Sequence, residues 1–532
     1  MAEIWGSSDI GVPEWTEKAD KRGNDPLGMQ NTSVAIYQSL MPGISNVTLR
    51  VRYYGFYVWL TDEYARNSGS TDIEEWCIFL RRAEALYALT AYFNSERPGI
   101  AGTDWAKRTI EGTTKSIIKF EDSTDRTGNT QYLKQKFGAF GAAYGSQLIE
   151  MGLLKINPEL HDIPTPTEER GNRLRDAFSE AIASVRDDYI KAVNGGRVSR
   201  DDLKRFGVML PKALSVDGHE REIYEQLIFA KLEDAEKNDI DRGTSCELAL
   251  EVFDERREDT SVSDIRWSMY EFFCRNSIHL LAGLEGKRNK GRYKWGIYHA
   301  NDMLHVCYEA LMKYCLDVLE RYSAGLPISR LIAEVSQAIK DACTIEDGTT
   351  WHEFVNSFEV SDTPKLMDDE NSEVVLLEEI MYGTQLSGIC TAECAKSAVV
   401  LLAVIYKRCA GVVEDIKRIC PEVDEHKSQQ SIYTELSLIN CNANLPFAKF
   451  LELIIKERVL ERHLWVGMQK LRASGDYTFL IESDGGYLRT RRKDTPVLTN
   501  PRLRSALLFL RDIYLIDEHG LTARASNVLR AL

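Results

Sequence analysis

The stretch TDIEEWCIFLRRAEALYAL, residues 71–89, decides the class of fold that the chain predicts. Thr71 followed three residues later by Glu74 has the spacing of a capping box, which starts many α-helices. Apolar side chains then recur every three or four residues, as on the buried face of a helix. These side chains are Trp76, Phe79, Leu80, Ala83, Leu86 and Leu89. The stretch therefore predicts an amphipathic helix packed against a core.

The same helical periodicity recurs along the chain. It predicts a helix from about Trp295 to Tyr322 and another that begins at Pro446, a residue suited to a first helical position, and runs towards Leu471. The most apolar run, residues 397–406, is about half of the roughly 20 residues that a membrane helix needs, so it predicts a buried helix. Strand signals are few. The sequence thus predicts a mainly α protein.

Two stretches with helix breakers or acidic runs divide the chain. Residues 157–167 contain three prolines, and residues 346–373 are acidic with further breakers. A length of 532 residues suffices for about three to four domains. We therefore predict a multi-domain protein with an N-terminal helical unit over residues 1–155, a helical middle domain over 165–345 and a C-terminal unit over 375–532.

Two segments share one order of elements. In the first, a helix that ends near Met151 precedes a short strand, a polar loop and a helix opened by Thr167. In the second, a helix over residues 501–514 precedes a short strand, a turn and a helix capped by Thr522. Helix, strand, turn, strand, helix resembles a winged-helix module. The sequence therefore predicts winged-helix-like modules.

Charge and cysteine content limit the classes of partner and compartment. The formal net charge of −15 argues against a surface broadly attractive to nucleic acid or to an anionic membrane, so any such contact must be local. The 11 cysteines are scattered without a Cys-x-x-Cys pair, and the start at Met1 lacks the pattern of a signal peptide. We expect reduced thiols and a cytoplasmic protein.

The common catalytic and cofactor motifs are missing from the sequence. It has no phosphate-binding loop, no dinucleotide-binding glycine pattern and no nucleophile elbow. His299 and His305 are six residues apart and point to different faces of a helix, while Cys390 and Cys394 share a face without further ligands nearby. We therefore expect no cofactor and no protein-built metal site.

Restriction-type nucleases leave the alternative reading open. Their sites place a Glu-x-Lys tripeptide on a strand, because carboxylates hold the metal and the lysine polarises the phosphate. The tripeptides at 285–287 and 425–427 match, but both lie in helical or polar loop contexts. The sequence therefore favours a protein without catalytic activity, with a divergent metal-dependent nuclease as the alternative.

A local excess of basic residues near the C-terminal end is the main physical clue to function. Residues 456–511 hold twelve basic side chains against six acidic ones. Within this region two strand-like runs flank the turn Asp484-Gly485-Gly486, which predicts a β-hairpin. Arginine guanidinium groups suit phosphate oxygens, and a hairpin can lie along a duplex backbone. The candidate nucleic-acid-binding residues are Arg489, Arg491, Arg492, Lys493, Arg502 and Arg504.

An intramolecular role for the same basic side chains is equally open. They could neutralise the acidic remainder of the chain or a partner subunit. A confined basic patch on an acidic protein also favours association, so we expect a partner protein or a homo-oligomer.

Arginines interleaved with aromatic residues near the N-terminus form a possible second site. Arg50 and Arg52 could hold phosphates while neighbouring rings stack on bases. The aromatic side chains have helical spacing, however, which favours a core role for them. They are Tyr53, Phe56, Tyr57 and Tyr64.

Two strings carry a family resemblance that covers about a hundred residues. The first is Leu40-Met41-Pro42-Gly43-Ile44-Ser45 with the following Thr48, Arg50, Arg52, Tyr53, Tyr54, Phe56 and Trp59. The second is His463, Leu464, Val466, Lys470 and Leu471 with Tyr477, Thr478, Phe479 and the hairpin glycines. They resemble uncharacterised bacterial proteins encoded near restriction-type anti-phage defence genes. The resemblance implies a bacterial cytoplasm and a role in defence.

These observations lead to one functional expectation. The chain is expected to be a DNA-associated recognition or scaffold subunit of a bacterial anti-phage defence system. It would contact the phosphate backbone, foremost of double-stranded DNA, through its basic C-terminal patch.

Overall fold

Helices dominate the computed structural model, which describes residues 25–68, 70–124, 131–156, 163–256, 260–276, 287–365, 367, 369–426 and 428–530. The α-helices are α1 (Gln30–Leu40), α2 (Arg52–Asn67), α3 (Ile73–Phe93), α4 (Thr103–Glu111), α5 (Gly145–Glu150), α6 (Arg170–Ala181), α7 (Arg186–Gly195), α8 (Arg200–Arg205), α9 (His219–Ile228), α10 (Lys237–Arg256), α11 (Val262–Asn276), α12 (Lys287–Leu319), α13 (Ile328–Ala342), α14 (Trp351–Asn356), α15 (Glu373–Met381), α16 (Ala392–Cys409), α17 (Val413–Ile419), α18 (Ile432–Asn442), α19 (Phe447–Leu453), α20 (Glu461–Ser474), α21 (Leu503–Asp512) and α22 (Ala523–Arg530). The expected mainly α class is confirmed.

Strands are short and antiparallel throughout the described residues. They are β1 (Ile117–Lys119), β2 (Leu154–Ile156), β3 (Pro164–Pro166), β4 (Arg197–Ser199), β5 (Leu326–Pro327), β6 (Ile481–Asp484), β7 (Tyr487–Thr490), β8 (Ile516–Asp517) and β9 (Gly520–Leu521). They pair as β1-β4, β2-β3, β8-β9 and the three-stranded sheet β5-β7-β6. Among the described residues no helix is both long enough and apolar enough to cross a membrane.

Helix starts differ in detail from the sequence prediction. The helix predicted from Thr71 is α3, but its N-cap is Asp72, whose carboxylate accepts a hydrogen bond of 2.8 Å from the Glu74 N–H. Pro446 is the N-cap of α19 rather than its first residue. The helical path from there continues through a π-helical stretch, Ile454–Leu460, into α20.

Contacts group the described residues into two compact units, neither of which is one continuous stretch of chain. The first unit takes its residues from Met41–Thr260 and Arg502–Leu532, and the second from Arg22–Leu40 and Ser261–Pro501. The joints predicted near residues 157–167 and 346–373 fall inside these units. The division into three consecutive domains stays a prediction.

Aromatic side chains form the core of the first unit around α2. The Tyr53 ring lies 5.5 Å from Tyr57, 4.9 Å from Tyr87 and 4.7 Å from Tyr144, centroid to centroid. All four side chains are buried. The aromatic face of the N-terminal string is therefore core, as its helical spacing favoured.

A buried carboxylate on α3 anchors a loop against this core. Glu84 accepts hydrogen bonds from the backbone N–H groups of Ala139 (2.9 Å) and Phe140 (2.7 Å) and from the Tyr57 hydroxyl (2.9 Å). Burial raises the pKa of Glu84 from 4.5 to about 7, although these hydrogen bonds oppose the shift. Glu84 thus gains affinity for a proton on folding.

The two segments of shared element order have matching hydrogen bonds in the first unit. In α5-β2-β3-α6 the Leu153 N–H donates to the Leu148 carbonyl, and the Thr167 hydroxyl donates to the Gly152 carbonyl. In α21-β8-β9-α22 the Leu515 N–H donates to the Leu510 carbonyl, and the Thr522 hydroxyl donates to the Tyr514 carbonyl. Gly152 and Tyr514 both have positive φ, at 68° and 62°. The two segments repeat one local structure.

Helix α12 is the centre of the second unit and is buried from Tyr293 to Leu319. It packs against α1, α11 and α16. One side of it carries ionisable residues at helical spacing, and the extended chain that follows β7 runs along that side. The Thr499 N–H donates to Asp302 (3.0 Å), the Val497 carbonyl lies 2.8 Å from His305 Nε2, and the Thr490 hydroxyl donates to the Leu316 carbonyl (2.9 Å). These contacts hold residues 490–499 in place.

The buried Glu84 gives a pH-dependent prediction. A pKa raised on folding favours protonation of the folded chain, so its contribution to the free energy of unfolding is retained below pH 4.5 and lost as the pH rises to about 7. The loss amounts to about 3 kcal/mol. Glu84→Gln stays neutral, so its stability relative to the parent should rise by about that amount between pH 4.5 and pH 8 in urea unfolding.

The exposed Glu75 on the same helix provides the control. Glu75→Gln should follow the parent at both pH values. A constant difference between Glu84→Gln and the parent across this range would contradict the role assigned to burial.

Candidate nucleic-acid interface

The hairpin β6–β7 presents alternate residues to opposite sides. Its register pairs Glu482 with Arg489 and Asp484 with Tyr487, and the turn residues Gly485 and Gly486 have φ of 57° and 87°. Only glycine adopts such φ values without strain at both positions. On β7 the Leu488 side chain is buried, while the alternate residues Tyr487 and Arg489 are exposed. Arg489 thus lies on the outer face of the sheet.

A concave surface forms where the chain leaves β7 and meets the C-terminal end of α12. It encloses about 340 Å³ and is called the basic cleft below. Its lining consists of Leu319, Glu320, Tyr322, Ser323, Arg489, Thr490, Arg491, Arg492 and Lys493. Four of the six predicted nucleic-acid-binding residues therefore come together in one place.

Arg491 is held by contacts within its own hairpin. Its Nε lies 3.0 Å from a carboxylate oxygen of Glu482, and its guanidinium carbon lies 4.4 Å from the centroid of the Tyr477 ring. Its backbone N–H donates to the Leu480 carbonyl at 2.9 Å. The guanidinium is still about one-third exposed. A ligand phosphate would have to compete with Glu482 for it.

Lys493 is tied to the end of α12. Its ammonium nitrogen lies 2.7 Å from Asp317 Oδ1 and also pairs with Glu320. Burial alone would lower the pKa of Lys493, but the hydrogen bonds and charges of these carboxylates raise it above its usual value. Lys493 is therefore paired within the fold.

Three cations of the basic cleft, Arg489, Arg491 and Arg492, are exposed. Among the residues that the structure describes, the Arg492 side chain has no ion pair, and its backbone N–H donates to the Leu480 carbonyl at 3.3 Å. Arg492 is therefore exposed and without an ion pair in the described part of the chain.

Arg502 and Arg504 belong to the first unit instead. Arg502 is the N-cap of α21, is 7 % exposed and donates from its guanidinium to the Met41 carbonyl at 3.0 Å. Its φ of 65° is rare for a residue with a side chain. Arg504 is exposed on α21. Arg502 is therefore a structural residue, whereas Arg504 is accessible.

Arg50 and Arg52, the possible second site, are paired inside the first unit. Arg50 lies 3.0 Å from Asp512 and 3.4 Å from Glu96. Arg52 is 1 % exposed and lies 2.9 Å from Glu220. Arg52 also donates to the carbonyl groups of residues 208 and 210. These pairs favour a structural role for both arginines over contact with nucleic acid.

The buried charges of α12 form the nearest approach to a carboxylate centre. Arg266 lies 2.6 Å from Asp302, and His305 lies 3.1 Å from Asp302 and 3.7 Å from Glu309. Burial would lower the pKa of His305, but Glu309 and Asp302 raise it to about 9. Burial raises the pKa of Glu309 to about 7. His305 thus lies between two carboxylates of its own helix.

Metal-binding clusters are absent from the described part of the chain. No group of three or more His, Cys, Asp and Glu side chains there could hold a metal ion. The first two residues of the tripeptide at 285–287 lie outside the described residues. The last residue of the tripeptide at 425–427 also lies outside them. Cys390 and Cys394 are both buried.

The sequence did not indicate which acidic residues lie beside the basic cleft. Asp317 lies near the end of α12 and Glu320 directly follows that helix, more than 160 positions before Arg489. Nothing in the sequence paired this part of the chain with the hairpin. Glu482 was visible as the cross-strand neighbour of Arg489.

Comparisons with known proteins identify no relative of the chain. Neither the protein families, nor the curated proteins, nor the solved structures that were compared with the chain gave a match.

Proposed function

We propose that the protein is a DNA-associated recognition or scaffold subunit of a bacterial anti-phage defence system, and that it contacts the phosphate backbone through the basic cleft. The observation that carries the proposal is the convergence of Arg489, Arg491, Arg492 and Lys493 on one concave surface. Guanidinium groups donate to phosphate oxygens in bidentate geometry. The defence context rests on the family resemblance of the N-terminal and C-terminal strings.

The charges around the basic cleft are consistent with a protein that contacts the phosphate backbone of nucleic acid with moderate affinity. Glu482 and Glu320 already neutralise Arg491 and Lys493 in part. The exposed Arg489 and Arg492 add to the attraction for phosphate, and the Arg492 side chain has no ion pair among the described residues. Phosphate contacts carry no sequence information, so binding should depend on salt and little on base sequence.

The repeated helix-strand-strand-helix segments are proposed as winged-helix-like modules. In the second of them, α21 exposes Arg504 and Arg511 while most of its other residues are buried. Seven positions apart, the two arginines lie on one side of the helix. We propose this side as a further backbone contact.

Charge reversal tests the basic cleft. Arg489→Glu with Arg492→Glu should weaken duplex DNA binding at least tenfold at low salt, because two phosphate contacts become repulsive. The slope of log affinity against log salt should fall by about two. Fluorescence anisotropy with a labelled duplex over a salt series measures both.

A matched control changes the charge by the same amount elsewhere in the second unit. Arg418 and Lys449 are exposed there, with side chains 66 % and 63 % accessible. Arg418→Glu with Lys449→Glu should leave the affinity within about twofold. Equal losses in both double variants would indicate a net-charge effect, and no binding by the parent at low salt would remove the proposal.

We also propose that the protein works with a partner protein or as a homo-oligomer. A confined basic surface on a chain of net charge −15 permits association between unlike faces. Light scattering at micromolar concentration should give a mass of at least twice 60.5 kDa, or the chain should co-purify with another component from its host. A lone monomer would contradict this proposal.

A divergent metal-dependent nuclease is the second candidate function. The observation in its favour is the burial of Asp302 and Glu309 on one helix, with Asp25 buried and its carboxylate oxygens without a hydrogen bond among the described residues. If this group catalysed cleavage, plasmid DNA with Mg²⁺ or Mn²⁺ would be cut, and Glu309→Gln would abolish the cut.

The recognition proposal predicts the opposite outcome in the same assay. The purified chain should bind plasmid without cleaving it in either metal. Glu346→Gln, a change at an exposed acid of the second unit, controls for preparation. Cleavage that Glu309→Gln removes and Glu346→Gln retains would establish the nuclease instead.

A further inference from the structure

Exposed aromatic rings flank the arginines of the basic cleft. Among the described residues, Tyr382, Trp465, Tyr477 and Tyr487 are the aromatic side chains with large exposed fractions. Tyr477 is 50 % exposed and Tyr487 is 48 % exposed. Two of these four rings thus adjoin the arginines that are proposed to meet phosphate.

The rings and the cations alternate along one path. Tyr487 and Arg489 extend from the same side of β7, and Arg491 lies two residues further on. Alternate residues of a strand are about 6.6 Å apart, which is the spacing expected between Tyr487 and Arg489 on β7. The Arg491 guanidinium lies over the Tyr477 ring at 4.4 Å. The order is therefore aromatic, cation, cation, aromatic.

No contact within the described part of the chain accounts for the exposed Tyr487 ring. Within the described part of the chain this ring has no aromatic contact and its hydroxyl has no hydrogen bond. The strand is positioned by its backbone pairing and by the buried Leu488 instead. Tyr477 is partly engaged, since its ring lies 5.0 Å from Phe479 and its hydroxyl lies 3.5 Å from Glu482. Tyr487 is thus free to stack on a ligand.

Duplex and single-stranded nucleic acids differ in whether their base faces are accessible. This difference indicates which of the two the basic cleft prefers. In a duplex the base faces are stacked on one another, and a surface strand reaches phosphates and base edges. A single strand exposes its base faces, which stack on aromatic rings and on arginine planes with little dependence on sequence. Arginines serve both ligands, but exposed rings beside them add affinity for a single strand.

We infer that the basic cleft prefers single-stranded nucleic acid, with bases stacked on Tyr487 and on the Arg491–Tyr477 pair. This inference rests on the proposed backbone contact and deepens it. It assigns the arginines to the phosphates and the two tyrosines to the bases. DNA and RNA single strands share this chemistry.

The experiment separates stacking from charge. Anisotropy at fixed salt compares four labelled ligands with the full chain: a 12-nucleotide oligo-dT, an oligo-rU of the same length, an abasic 12-mer with the same number of phosphates, and a 12-base-pair duplex. The parent should bind oligo-dT or oligo-rU about tenfold more tightly than the abasic strand and the duplex. Whichever of oligo-dT and oligo-rU binds more tightly shows whether the basic cleft prefers deoxyribose or ribose.

Variants then assign the stacking to individual rings. Tyr487→Ala should lose about tenfold in affinity for the single strand while its weak binding of the abasic strand and the duplex stays unchanged. Tyr487→Trp should restore the affinity. Tyr382→Ala, at a ring that is 64 % exposed in the same unit, should match the parent. Unchanged melting of each variant shows that the fold is intact.

Two failures remain distinguishable. Equal affinity for oligo-dT, oligo-rU and the abasic strand, or single-strand binding that is insensitive to Tyr487→Ala, would overturn this inference and leave the backbone contact standing. No binding of any of the four ligands at low salt would overturn the proposed function and the inference together.

Discussion

Burial of charge on α12 is the constraint on which the second unit depends. The helix is surrounded by protein yet carries ionisable side chains along one side. An unpaired buried ion costs several kcal/mol, so these groups need partners. Some partners lie on α12 itself, as Lys313 does for Asp317, and the others are Arg266 of α11 and residues of the segment that follows β7. That segment is therefore fixed along α12, and the basic cleft is fixed with it.

The same constraint sets how strongly the basic cleft can attract an anion. If Lys493 left Asp317, the Oδ1 atom of this almost fully buried carboxylate would lose its ion pair. Asp317 also accepts from Lys313 and from the Cys390 N–H, which ties three segments to one side chain. Positive charge at this end of α12 is thus partly committed to the fold.

Local features of the fold could be predicted from sequence, whereas pairings between distant segments could not. The stripe Trp76–Leu89 specified α3, and the turn glycines of the hairpin were legible because φ above zero favours Gly485 and Gly486. The candidate arginines were found by charge alone. Their separation into Arg489–Lys493 and Arg502–Arg504 depends on which segments pack together, and α12 supplies carboxylates that no local pattern links to the hairpin.

The interleaving of the chain between the two units has a consequence for its folding during synthesis on the ribosome. The first unit needs the residues after Pro501, since Asp512 pairs with Arg50 across 462 positions. The second unit draws on nothing beyond Pro501. During synthesis the second unit can therefore close while the first is still incomplete, with Arg50 lacking Asp512, one of its two carboxylate partners. Chains arrested before Asp512 would keep that unit open, with its tyrosine core accessible to chaperones and proteases.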